Sequence, residues 1–416
     1  MGGQQVRIPQ EPSTLVAPLP GDEGEPSLEA LAQNLRRAGL AAELDPKPDG
    51  KSARVRFEGR SFEVRVAPSS DPGEIHMEYS RLTRDVVEAV RMSRWSVGVR
   101  TTVGDAPLES LHGQLRVLSA LAPRAVAMLD LNACAPKSGD WLRDAASSKV
   151  PPGPTSFFTA HAVFSEEEGE IWLHTHGLRR LGCVELEILG VNREEAQELH
   201  QLLNTVASAF IDKGVPPAGE PFPAGRKMPL LWLPWEEALK HVQPKLGGLE
   251  DHDEIHGGAT GVLLAPGDDG PETPRRYVEA LRDNPLLYIS TAETLRMAAQ
   301  ARERLPQFAE LVAKYVAEPK WKFLMKLGYP IDDAEKEDDR EHLWFEVHGL
   351  AHGQVDATLL NEPYGIARMK EGDRGSHSLS LLTDWTVFCP RGRYSPETVL
   401  ALLRGLARPA GNAGLN

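Results

Sequence analysis

The stretch WLHTHGLRRLGCVELEIL, residues 172–189, decides how this chain is read. Side chains alternate across a strand, so every second residue shares a face. In residues 183–189, Val184, Leu186 and Ile188 form an apolar side and Glu185 and Glu187 the opposite one. In residues 172–176, His174 and His176 share a side with Trp172. Residues 177–182 read as the connecting loop. Keeping the apolar sides together sets the register, because a one-residue slip would turn every side chain over. The imidazoles and carboxylates then share a face. The tightest such register places His176 opposite Cys183 and His174 opposite Glu185. A third strand over residues 157–164, joined through residues 165–170, brings His161 opposite His174.

Two readings of this face compete. In one, His161, His174, His176 and Glu185 are ligands for a divalent metal, with Glu187 as a candidate catalytic base. Imidazole and carboxylate suit Zn, Fe or Mn, and a metal with an open position acidifies a bound water for hydrolysis. In the other, the face is an ordinary polar sheet surface. His174 and Glu185 are then a cross-strand binding pair worth about 0.2–1 kcal/mol, or the histidines are hydrogen-bonded beneath a helix. An H-x-H pair on a strand is weakly specific, so the expectation is no cofactor, with a divalent metal as the alternative.

Working outward, residues 1–26 are rich in Pro, Gly and Glu and read as a disordered tail. Leu28, Leu31 and Leu35 begin a helix. Residues 54–58 and 61–66 form a hairpin turned at Gly59. Further helices are expected around Val86 and Val90, and after Asp105 and Pro107. The pattern of Asn192 with Glu195 opens another, which Gly214 ends. These elements describe an N-terminal α+β domain over residues 27–214. A Pro-rich linker and small middle module follow at 215–290, with short strands at 228–233, 261–265 and 286–289. The last domain, 291–407, has a helix restarted at Pro306 and strands at 322–327, 342–347, 354–359, 364–369 and 378–385. A helix capped by Ser395 closes it, and 408–416 is a tail. The fold class is therefore α+β, with mixed or antiparallel sheets and flanking helices, in two main domains and a small middle segment.

The bulk numbers exclude several classes. A chain of 416 residues, 41% hydrophobic and 25% charged, is globular and long enough for more than one core. A net charge of −14 argues against nucleic acid as a partner, which needs clustered Lys and Arg. Three scattered cysteines form no C-x-x-C pair and fit a reducing compartment. The start MGGQQVRIPQEPSTLV has no apolar signal core, and no run is long enough to span a bilayer. The expectation is a cytoplasmic protein with no membrane partner. No G-x-S-x-G, H-E-x-x-H or G-x-G-x-x-G motif is present. Residues 251–256, DHDEIH, lie between glycine pairs and read as a solvated loop. Asp384 and Trp385 end a strand and are binding candidates, although Asp384 can simply accept backbone N–H groups there.

In the last region four spaced motifs are recognisable. Glu341-His342-Leu343-Trp344, Ala357-Thr358-Leu359-Leu360-Asn361-Glu362-Pro363, Lys370-Glu371-Gly372-Asp373 and Asp384-Trp385 together resemble the bacterial YegJ-like domain of unknown function, over about residues 291–405. Ala357 departs from the glycine usual there. The region before residue 215, with WLHTHGL and ELEIL, is similar to a second uncharacterised bacterial family that often precedes such a domain. The resemblance implies a bacterial cytosolic protein and carries no catalytic residues. By association it implies a non-enzymatic protein-binding or immunity/accessory-type protein, and the acidic charge fits a partner with a basic surface. The alternative is a metal-dependent hydrolase.

Overall fold

Strand β1 (Ser13–Pro18) corrects the reading of residues 1–26 as a disordered tail, of which residues 1–9 lie outside the described residues. In the computed structural model, which describes residues 10–70, 82–167, 169–248, 251–252, 259–282, 290–335 and 339–407, it lies inside a sheet. Its burial alternates, with Ser13 and Leu15 inward, and it pairs antiparallel on both sides. Composition misled here because Pro and Gly crowd around a six-residue strand that is itself apolar.

The chain divides into two units, Met1–Ala146 with Pro152–Ser290, and Ser147–Pro151 with Thr291–Asn416. The described residues form an α+β protein with ten helices and three sheets. None of these helices is long and apolar enough to cross a membrane.

The first unit holds two sheets, not one domain followed by a separate middle module. The first sheet joins β1 to β2 (Glu43–Pro46), β3 (Ser52–Phe57), β4 (Arg60–Pro68), β5 (Trp95–Thr101), β6 (Ala127–Asp130) and β7 (Ala135–Ser138), in the order β2-β3-β4-β5-β1-β6-β7. Between β3 and β4, Glu58 and Gly59 both take positive φ, 49° and 73°. That two-residue turn matches the right-handed twist of the hairpin. Helix α1 (Leu28–Arg37) starts where Ser27 accepts the Ala30 N–H, and it buries Leu31 and Leu35. Helix α2 (Arg84–Met92) buries Val90. Helix α3 (Pro107–Leu121) begins after Ala106 with no side-chain cap, so Asp105 does not cap it. Helix α4 (Gly139–Ser147) follows β7.

The second sheet has the order β11-β12-β13-β10-β9-β8. It comprises β8 (Thr159–Phe164), β9 (Glu170–His176), β10 (Glu185–Asn192), β11 (Phe222–Gly225), β12 (Met228–Pro234) and β13 (Thr260–Leu264). Strands from the presumed middle module therefore complete the sheet begun by β8, β9 and β10, with β13 parallel to β10. Helix α5 (Ala196–Lys213) covers the side lined by Leu173, Leu186 and Ile188, in the main core. Short helix α6 (Trp235–Ala238) covers the other side, with Trp172, Leu189, Val262 and Leu264. Helix α7 (Val278–Arg282) is the last helix of this unit among the described residues, and the strand expected at 286–289 lies outside them.

The second unit contains α8 (Thr291–Glu303), α9 (Leu305–Tyr315) and α10 (Val399–Ala407) on one antiparallel sheet of order β17-β16-β15-β14-β18-β19. Its strands are β14 (Lys322–Pro330), β15 (Arg340–Ala351), β16 (Gln354–Leu359), β17 (Arg374–Ser378), β18 (Leu382–Cys389) and β19 (Gly392–Tyr394). The expected strand at 364–369 is irregular; Arg374–Ser378 takes the edge instead. The C-terminal segment 408–416 lies outside the described residues.

Candidate metal centre on the second sheet

His161 stands directly opposite His174 in the antiparallel pairing of β8 with β9, and Thr159 opposite His176. That register sets His161 beside both histidines of β9. The ring centroids are 5.5 Å apart for His161–His174, 4.9 Å for His161–His176 and 4.9 Å for His174–His176. One ligating atom from each ring lies within 4.8 Å of the others. His174 and His176 are buried, and His161 is half-buried on the edge strand. Their two Nε2 atoms are 3.1 Å apart, so one ring donates and the other accepts. Two nitrogens on one tetrahedral zinc are about 3.4 Å apart. The β9 pair therefore already stands at a metal-binding separation.

Gly177 ends β9 with φ +105°. A Cβ there would sit 2.9 Å from the Phe157 carbonyl oxygen, so only glycine fits the turn.

Glu185 is not brought to this cluster, which corrects the expected register. The residue opposite His174 is Glu187. The ladder has moved by two positions, which keeps side parity and changes the partner. Glu185 instead accepts hydrogen bonds from Thr175 Oγ1 at 2.8 Å, Gly177 N at 2.9 Å and Arg179 N at 3.1 Å. Burial pushes its pKa up to about 7, against the lowering effect of those hydrogen bonds and of Arg179.

Glu187 sits among donors. Its Oε2 accepts from Trp172 Nε1 at 3.0 Å, and its Oε1 lies 3.1 Å from His252 Nε2. The Trp172 ring lies 4.1 Å from the His174 ring. His252 stacks on Trp235 at 4.0 Å. Segment 251–256 is thus not wholly a solvated loop. His252 is docked, and Asp251 accepts from Gly247 N and Gly248 N. Asp253, Glu254 and His256 lie outside the described residues. Sequence reasoning missed His252 because its partner is 65 residues away.

Sequence reasoning also missed Arg180, fully buried, which pairs with Asp130. The two are 50 residues apart in the sequence, and nothing in their chain neighbours announces the pair.

Of the two binding candidates in the second unit, Trp385 is a core residue. It is fully buried, packs 4.8 Å from Phe308 and donates Nε1–H to the Ala301 carbonyl. Asp384 accepts the Trp385 backbone N–H at 2.8 Å. Burial raises its pKa to about 6, although Lys326 across the ladder opposes this. Lys326 is itself lowered by burial and lies 5.5 Å from the Trp344 ring centre. The other motif residues hold turns. Glu341 accepts from Tyr364 N and Gly365 N, Asn361 from Trp344 N, and Asp373 from Lys370 N.

Three family models match the chain. Residues 13–152 match the N-terminal part of a protein of unknown function (DUF4026), and residues 160–264 its C-terminal part. Residues 293–412 match an uncharacterized protein conserved in bacteria (DUF2314). No curated protein and no solved structure matches. The boundary between the first two models falls between β7 and β8, where the first sheet gives way to the second. The chain thus carries the N- and C-terminal domains of DUF4026 followed by a DUF2314 domain, all of unknown function, and its histidine cluster lies in the second of the three.

Proposed function

We propose that the C-terminal DUF4026 domain is a divalent-metal centre of hydrolytic type, with His161, His174 and His176 as its ligands. The observation that carries this reading is the convergence of three imidazole nitrogens to within 4.8 Å. Three protein ligands leave a fourth position open, the arrangement of catalytic rather than structural zinc. His161 supports the same reading, because it is the half-buried ligand and sits on the edge strand. A metal held there would lower the pKa of a bound water towards neutrality and polarise an ester or phosphoester oxygen.

The test is elemental analysis of protein loaded with Zn²⁺ and dialysed, followed by ester and phosphoester assays with and without chelator. About one metal per chain, lost in the His174→Ala, His176→Ala double variant, together with chelator-sensitive turnover, is expected. Metal-free wild type refutes the centre; bound metal without turnover refutes only hydrolysis.

The charge of −14 favours a second reading beside it, a binding protein for a partner with a basic surface. The three free cysteines support placing it in a reducing, cytoplasmic compartment. Association that weakens with added salt would support such a partner; a pull-down in which no basic protein is enriched would count against it.

A further inference from the structure

Glu187 was a candidate base from its place in the sequence, but its surroundings give it a different job. Its carboxylate receives Trp172 Nε1–H at 3.0 Å and faces His252 Nε2 at 3.1 Å. It is 2% exposed. Burying a carboxylate among the apolar groups Trp172, Leu189, Trp235 and Val262 is unfavourable unless its oxygens are held by donors. These two donors are aromatic side chains. One of them, Trp172, lies 4.1 Å from the His174 ring at an interplanar angle of 36°. Glu187 is also the direct cross-strand neighbour of His174. The carboxylate therefore fixes the Trp172 indole, and the indole forms one wall of the His174 imidazole.

We infer that Glu187 is a positioning residue for the metal centre: it acts through Trp172 to set the orientation of the His174 ring, with His252 holding its other oxygen. This rests on the metal reading above. A ligand ring free to rotate must be ordered when the ion binds, and that entropy weakens binding; a ring held by its surroundings has lost it on folding. Glu187 does not itself ligate or transfer a proton in this role. His252, carried on the segment after α6 and stacked on Trp235, completes the clamp.

Glu187→Gln keeps the volume but not the chemistry. An amide accepts only at its oxygen, so one of the two donors would face an NH₂ group. Trp172→Phe keeps a ring against His174 and removes the Nε1–H donor. The experiment is Co²⁺ titration of the full chain, followed by ligand-field absorption, with apo-protein melting measured alongside. Wild type is expected to bind one Co²⁺, and His174→Ala with His176→Ala none. Glu187→Gln is expected to bind 10–100-fold more weakly with a shifted ligand-field band, and Trp172→Phe to move in the same direction. Asp384→Asn, in the other unit, is expected to match wild type. Equal affinity and an unchanged spectrum in Glu187→Gln would overturn the positioning role while leaving the metal centre standing. Should Glu187→Gln fail to fold, Trp172→Phe decides by the same two readouts. Wild type that binds no Co²⁺ would remove the centre itself, a distinct failure.

Discussion

Arg180 and Asp130 form a bidentate ion pair, Nη1–Oδ1 2.7 Å and Nη2–Oδ2 2.6 Å, with both side chains withdrawn from water. Asp130 ends β6 of the first sheet, and Arg180 lies in the loop between β9 and β10 of the second. The same guanidinium donates to Ser13 Oγ on β1 and to the Phe157 carbonyl. This pair therefore bolts the two sheets of the first unit together just beside the strand that carries His174 and His176.

Breaking that pair from one side leaves a buried charge without its partner, which costs about 3–5 kcal/mol. Asp130→Ala and Arg180→Ala should each lower stability by that order in urea unfolding. The double replacement Asp130→Leu with Arg180→Met should cost less than the sum of the two, because no charge is left stranded. Single variants that unfold within about 1 kcal/mol of wild type would show that the pair is not what joins the sheets.

A ligand that binds only the folded state raises its apparent stability by RT ln(1 + [L]/Kd). Zn²⁺ at one hundred times its Kd should therefore stabilise wild type by about 2.7 kcal/mol. The rise should vanish in the His174→Ala, His176→Ala variant and shrink in His161→Ala. Thermal melts with a chelator-treated reference check this. An equal rise in the double variant would place the metal elsewhere.

Glu185 has an ordinary pKa of 4.5 that burial raises to about 7. The folded state then binds the proton more tightly than the unfolded chain. Its stabilising contribution is complete below about pH 4.5 and is lost as pH rises towards about 7. Glu185→Gln should flatten this part of the stability–pH curve. Comparison of urea midpoints from pH 4.5 to 8 checks it, and an unchanged slope in the variant would contradict it.

Adjacent residues in the second unit should behave differently. Trp385→Ala empties a fully buried site against Phe308 and should cost about 3–5 kcal/mol. Asp384→Asn should cost far less and should remove a fall in stability between the ordinary 3.8 and about 6. Denaturant unfolding at two pH values separates the two. A Trp385→Ala variant as stable as wild type would return Trp385 to the list of binding candidates.

Much of the architecture is written locally. The alternation of Arg54, Val55, Arg56 and Phe57 against Phe62, Val64 and Val66 gives a hairpin, and Glu58-Gly59 gives its turn. Gly214 ends α5 as its place implies, and Asn192 N–H donates to the Glu195 carboxylate, although the helix itself starts only after Glu195 and has no side-chain cap. Strand β1 was hidden because its six residues sit among Pro and Gly and its strand partners are 78 or more residues away. The pairing of β13 was not legible for the same reason: its parallel partner β10 is separated from it by two helices and two strands.

The sequence by itself determined sidedness. Successive side chains must point to opposite faces, so His174, His176 and Glu187 shared a side before any partner was known. It also determined the acidic charge and the turns, which depend on neighbouring residues alone. Tertiary structure decided which residue faces which. Moving β10 two places along β9 leaves every side chain on its own face, so the alternating pattern cannot distinguish Glu185 from Glu187 opposite His174. Only the packing of the whole sheet breaks that tie, by seating Glu185 among Thr175, Gly177 and Arg179 and bringing His252 onto Glu187.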